Sequence, residues 1–142
     1  MFHELVPDPG ERSPEEIEGV YAEALASVVE SVGVEAAVAE TDLDEATVAA
    51  ARDGDLDAVT LEEGAAILAL DESAPPAADI AALARDALLM GMTTAVMDVE
   101  TLASDIGGEL EAREIQQKVE GRFPISLAEY ALLSHYIQRG SP

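Results

Sequence analysis

Helix start and stop signals recur along this chain twice in the same order, and that order leaves room for little but a helical fold. Ser13-Pro14-Glu15-Glu16 places a hydroxyl N-cap before a proline at the first helical position, with a glutamate three residues after the cap. Apolar or small side chains follow at Ile17, Val20, Tyr21, Ala24, Leu25, Val28, Val29 and Val32, one face of a 3.6-residue period, and Gly33 ends it. Residues 34–41 then read as a short helix, Asp42-Leu43-Asp44 as a turn and new N-cap, and 46–52 as a helix stopped by Gly54 in a left-handed C′ position. Thr60 and Glu63 form a second capping box, opening a helix over 61–70, and Ser73-Ala74-Pro75-Pro76 closes the series. No stretch of comparable length alternates as a strand would.

The second series follows about 65 residues later. Asp79 is the expected cap of a long helix over 80–97. After it come a short helix over 99–106, a turn at Gly107-Gly108-Glu109 and a helix over 110–120 that Gly121 stops. Ser126 and Glu129 make the closing capping box, for a last helix running to about residue 138. Ala37-Val38 falls on Leu102-Ala103, Leu43 on Leu110, Val48 on Ile115, Gly54 on Gly121, and Thr60-Leu61-Glu62-Glu63 on Ser126-Leu127-Ala128-Glu129. Any two capped four-helix segments share some of this, but glycines and capping boxes matching at nearly one offset point to duplication. The expected fold is all-α, about eight helices in two tandem four-helix repeats. The boundaries are an N-terminal tail at 1–12, repeats at 13–72 and 79–138, a linker at 73–78, and a C-terminal tail at 139–142.

Charge limits the surroundings in which such a fold works. Thirty acids face seven bases, a net −23, and Lys118 is the only lysine. At low ionic strength that charge repels itself strongly. At molar salt the Debye length falls to about 3 Å and screens most of it. The acids run from Glu4 to Glu129 rather than in one block, so a solvated acidic surface explains them better than an interaction tail or a nucleic-acid mimic. Without cysteine there is no disulfide, thiolate nucleophile or Cys-ligated metal. The first seven residues lack the basic and apolar regions of a signal peptide, and the uncharged run 87–97 is too short to span a bilayer. A cytoplasmic protein with no membrane partner is expected.

The layout of each repeat is similar to that of Cro/repressor-type helix-turn-helix domains. Leu102-Ala103-Ser104-Asp105-Ile106-Gly107 resembles the first helix of that motif with its turn glycine. Residues 111–122 resemble the recognition helix and the Glu-Gly that closes it, and Phe123-Pro124-Ile125-Ser126-Leu127 resembles the entry to the next helix. The first repeat departs from the pattern, with Asp42 where the turn glycine belongs. The acidic, lysine-poor composition resembles haloarchaeal proteins. Leu89-Met90-Gly91-Met92-Thr93-Thr94 and Glu114-Ile115-Gln116-Gln117 resemble an uncharacterised haloarchaeal family, which implies source and fold but no activity.

The helix-turn-helix resemblance implies double-stranded DNA as a partner, entered by the recognition helix. The first repeat is unsuited to this, because its equivalent helix offers Asp44, Glu45, Thr47 and Asp53 against one base, Arg52. In the second, Arg113, Gln116, Gln117 and Lys118 are candidates for the groove and Arg122 for phosphate; Arg and Gln suit guanine and adenine edges. The plainer reading is a solvated helix with a Glu114–Lys118 pair four residues apart. Thus the expected function is a transcription-associated regulator contacting DNA through the second repeat. The alternative is a protein-interaction scaffold or dimerisation module, with the apolar segment Leu88, Leu89, Met90, Met92 and Met97 as a contact or, more simply, as core.

Asp53-Gly54-Asp55-Leu56-Asp57 has the alternating acids of a calcium loop, but the sharp-turn position holds Ala58 and the twelfth holds Gly64, so an acidic helix–helix loop is the better reading. His3, in a tail expected to fray, and His135, expected on the surface of the last helix, have no partner at ligand spacing. No nucleophile motif, phosphate loop or metal cluster is present, so neither an enzyme nor a cofactor is expected.

Overall fold

The capping signals place most helix ends within a residue or two of where they fall in the computed structural model, which describes residues 1–140. The described residues form nine α-helices: α1 Phe2–Leu5, α2 Pro14–Val32, α3 Val34–Thr41, α4 Glu45–Asp53, α5 Leu61–Leu68, α6 Ala77–Thr94, α7 Val99–Asp105, α8 Ala112–Val119 and α9 Leu127–Arg139. The all-α expectation holds. The capping boxes at Ser13/Glu16, Thr60/Glu63 and Ser126/Glu129 are all formed, each satisfying orphan amides at a helix start. A further box, Glu111/Glu114, opens α8 with a glutamate in place of the usual hydroxyl. Helix α6 begins earlier than expected: Pro76, not Asp79, is its N-cap, and it ends at Thr94 rather than 97.

The corresponding turns adopt corresponding backbones. Asp42 is left-handed at φ 64°, as Gly107 is at 75°, and Gly54 and Gly121 both sit at 81°. Asp tolerates this region better than most residues because its short polar side chain bonds locally. The two capping boxes lie side by side. Leu61 N donates to Ile125 O at 2.8 Å and Leu127 N to Val59 O at 2.9 Å, so α5 and α9 start from one reciprocal antiparallel bridge between Thr60 and Ser126.

Packing interleaves the halves. Helix α2 buries Ile17, Tyr21, Leu25 and Val29 on one stripe and packs against α4, α5 and α9, while α5 also packs on α6. Neither half has a core to itself, because one connected set of buried side chains runs from Phe2 to Ile137. Arg85 of α6 ties them further: it pairs with Glu62 of α5 and donates from Nε to the Lys118 carbonyl at 3.3 Å.

The first twelve residues are not a frayed tail. Phe2 is 0 % exposed and packs edge-on to Tyr21, ring centroids 5.3 Å apart, and Val6 is also buried. A 3-10 turn at Pro9–Glu11 lies along α9, with Gly10 N donating to Gln138 Oε1. At Gly10 only glycine fits, since a Cβ would sit 2.9 Å from the Arg139 backbone nitrogen. His135 is correspondingly buried, its Nδ1 3.0 Å from Pro9 O, and is not a surface residue. Composition gave no warning of this, because a short apolar N-terminus shows its partners only once α6 and α9 are assembled. Of the expected C-terminal tail, Arg139 ends α9 and residues 141–142 lie outside the described residues.

Candidate functional site

Helix α8 is the expected DNA-reading element, and it is sharply two-faced. Ile115 and Val119 turn into the core, while Arg113, Glu114, Gln116 and Glu120 are exposed and Gln117 and Lys118 half-buried. Gln116 Nε2 donates to Glu120 Oε1 at 3.4 Å. Arg122, beyond the helix, is 74 % exposed with its Nε 3.7 Å from Glu120. Three of the five expected contact residues, Arg113, Gln116 and Arg122, are therefore exposed to solvent.

Lys118 does not join them. Its ammonium pairs with Glu129, the capping-box glutamate of α9, and not with Glu114 as the four-residue spacing suggests. With side chains 17 % and 25 % exposed, the two form a largely enclosed pair that closes α8 onto α9. The reason is geometric. Glu114 caps its own helix through the Glu111 amide, and the Glu129 carboxylate spans both the Ser126 amide and Lys118. With Lys118 neutralised, the exposed surface offers Arg113 and Arg122 against Glu111, Glu114 and Glu120, two cations to three carboxylates. A phosphate backbone meets no net attraction there.

Helix α6 carries a different kind of surface. Leu88 and Met92 face the core, as the apolar run suggests, but Leu83, Leu89 and Met90 are exposed, Met90 at 69 %. At 100° per residue, Leu83, Asp86, Leu89, Met90 and Thr93 share one face about 120° wide. Its carboxylates, Asp79 and Asp86, lie within the first ten of the eighteen residues of the helix, and residues 87–97 carry no charge at all. The strip ends on Val96, which is 91 % exposed and left-handed at φ 52°. The turn there is a full Schellman motif, with Val96 N bonded to Thr93 O and Met97 N to Met92 O. Its C′ position ordinarily belongs to glycine. A β-branched residue in this region costs about 1–3 kcal/mol, and Val96 recovers none of it by packing.

The model of a family of unknown function, DUF5791, matches residues 17–140. The chain belongs to that family. No curated protein and no solved structure matches it. The matched span takes in both the α8 surface and the α6 strip of this DUF5791 chain, and residues 1–12 lie before it.

The strip was only half legible in the DUF5791 sequence. Residues 88–97 stand out as apolar, but apolar residues at helical spacing say nothing about which face a neighbouring helix covers. Val96 left no signal of its own. A glycine there would have announced the turn, and a valine argues against one. Among the described residues no group of three or more His, Asp or Glu side chains could hold a metal ion, and no single helix is long and apolar enough to cross a membrane.

Proposed function

We propose that this DUF5791 protein is a non-catalytic helical interaction module whose working surface is the uncharged strip of α6. The observation that carries this is Val96: exposed, apolar and held at a backbone cost that its own fold does not repay. Strain kept without a packing return marks a site selected for something other than stability. Along the helix before it, Leu89 and Met90 supply an apolar face on a chain of charge −23, where charge would otherwise keep neighbours apart, and exposed Asp86 marks where that uncharged face begins. Its occupant is a partner presenting an apolar helix face, packed helix on helix with the ridges of one in the grooves of the other. The chain's acidity fits work at molar salt inside a cell. The reciprocal bridge at Thr60/Ser126 and the paired left-handed turns support a duplicated ancestral unit, and the α7–turn–α8 order supports likeness to helix-turn-helix scaffolds.

Two variants test the module. Met90→Glu/Val96→Asp adds only the kind of charge the surface already carries. In molar KCl it should lose, at least tenfold, either self-association seen by sedimentation or retention of a stoichiometric partner seen on purification. A wild-type protein that is monomeric and retains nothing that the variant does not would sink the reading. Val96→Gly should raise unfolding stability by about 1 kcal/mol, strain relief less the added chain entropy, while also weakening that association. If Val96 is merely a turn residue, stability rises and association is unchanged.

One observation favours a second reading, DNA contact through the second half: Arg113, Gln116 and Arg122 are exposed on α8 and its closing turn, with no helix laid over them. Gel-shift in molar KCl with genomic fragments, wild type against Arg113→Glu/Arg122→Glu, decides it. Binding that charge reversal abolishes would favour DNA over the module.

A further inference from the structure

Where residues 1–12 cross α6 and α9 they roof a crevice of about 310 Å³, at the lower end of the range of small-ligand pockets. Apolar walls come from Val6, Ala87, Leu88 and Ile137, and the rings of Tyr21 and Tyr130 form its inner side. Although a quarter of the chain is charged, no Asp, Glu, Lys or Arg lines it. A charged ligand would lose its hydration there with nothing to replace it. The narrow floor depends on Gly91, where a Cβ would sit 2.8 Å from Ile137 Cγ2.

The polar groups at its edge are few, and most are already engaged. Tyr130 donates its hydroxyl to Ala84 O at 2.9 Å, and Gln138 holds Gly10 and Pro7. Ser134 is a hydrogen-bond partner of the Tyr21 and Tyr130 hydroxyls, so Thr94 and His3 remain. Nδ1 of His3 is buried without a hydrogen-bond partner, the only such side-chain nitrogen or oxygen among the described residues. Its other nitrogen, Nε2, lies 3.6 Å from the Glu4 carboxylate, which favours the proton on Nε2 and leaves Nδ1 an acceptor. Burial and the neighbouring N-terminal ammonium hold the His3 pKa below its ordinary value, so the ring is neutral at pH 7. As it stands Nδ1 has no accessible surface; the side chain as a whole is 29 % exposed, and a half-turn of the ring that gives up the Glu4 contact is the movement that brings Nδ1 to a guest.

We infer that this crevice is a binding site for a small uncharged ligand with a single apolar ring and a hydroxyl, the hydroxyl donating to His3 Nδ1 and the ring lying against Tyr21, Leu88 and Ile137. The site is independent of the α6 strip. Titrating the full-length ¹⁵N-labelled protein in molar KCl with p-cresol, toluene, benzoate and benzylamine tests it. The expected result is saturable shifts of the Ala87, Gly91 and Ser134 amides, with p-cresol bound about tenfold more tightly than toluene, the worth of one hydrogen bond, and the two ions weaker than either. His3→Phe should bring p-cresol down to the affinity of toluene. Ala87→Phe fills the crevice and should abolish binding of both; should it not fold, Thr94→Phe at the exposed rim serves the same purpose. Absence of saturable shifts at those amides, no preference for p-cresol over toluene, or binding unchanged by the filled crevice would each overturn the assignment.

Discussion

Replacing Phe2 by alanine should destabilise this protein by about 3–5 kcal/mol, the usual cost of emptying a buried phenylalanine site, and lower its Tm by about 10–17 °C. Residue 2 of a chain seldom matters so much. Here its ring is fully buried, edge-on to Tyr21, which in turn lies 6.1 Å from Tyr130, so three aromatic rings join the N-terminal segment to α2 and α9. Losing the ring removes the anchor on which the Pro9–Glu11 turn and the bond from His135 to Pro9 O depend. Thermal unfolding in molar KCl, followed by far-UV circular dichroism, checks it. A change within about 0.5 kcal/mol, as expected of a substitution in a frayed tail, would show that the segment is not part of the core. The outcome also bears on the crevice, whose roof is this segment.

The second large effect separates two basic residues that the sequence makes look alike. Lys118→Glu should cost about 3–5 kcal/mol, because it breaks a largely enclosed pair and sets two carboxylates against each other at the α8–α9 junction. Arg113→Glu, on the exposed face of the same helix, should change stability by no more than about 0.5 kcal/mol. Chemical denaturation of the two single variants gives both numbers. Equal, small effects would mean that the Lys118–Glu129 pair contributes nothing and that Lys118 is available to a ligand. The contrast decides how any binding experiment is interpreted. A DNA-binding defect in Lys118→Glu would reflect a damaged fold, whereas one in Arg113→Glu would reflect a lost contact.

Local signals carried most of the helix order. A serine or threonine cap with a glutamate three residues on, a proline at the first helical position and a glycine past the end act through the backbone of their own turn. Their meaning therefore survives without knowledge of the rest of the chain, and Thr60/Glu63 and Ser126/Glu129 form as read. Departures occur where no local donor or acceptor is decisive. Helix α6 starts at Ala77 because Pro76 can precede a helix as well as Asp79 can, and it ends at Thr94, two residues before a left-handed valine that carries no stop signal in the sequence.

The candidate surface was less legible for the same reason. Arg113, Gln116, Gln117, Lys118 and Arg122 were grouped by sequence neighbourhood, yet Lys118 is claimed by a carboxylate eleven residues away whose helix packs beside it. What the sequence determined by itself is the all-helical architecture, its fourfold order in each half and its acidic exterior. All three follow from interactions within a turn or from composition. Only the tertiary structure decided that α2 packs on α9 and α5 on α6, that residues 1–12 belong to the core, and that one face of α6 stays bare. These depend on which apolar faces meet. Hydrophobic burial is non-directional, so the choice is made by the packing of the whole set and not by any one helix.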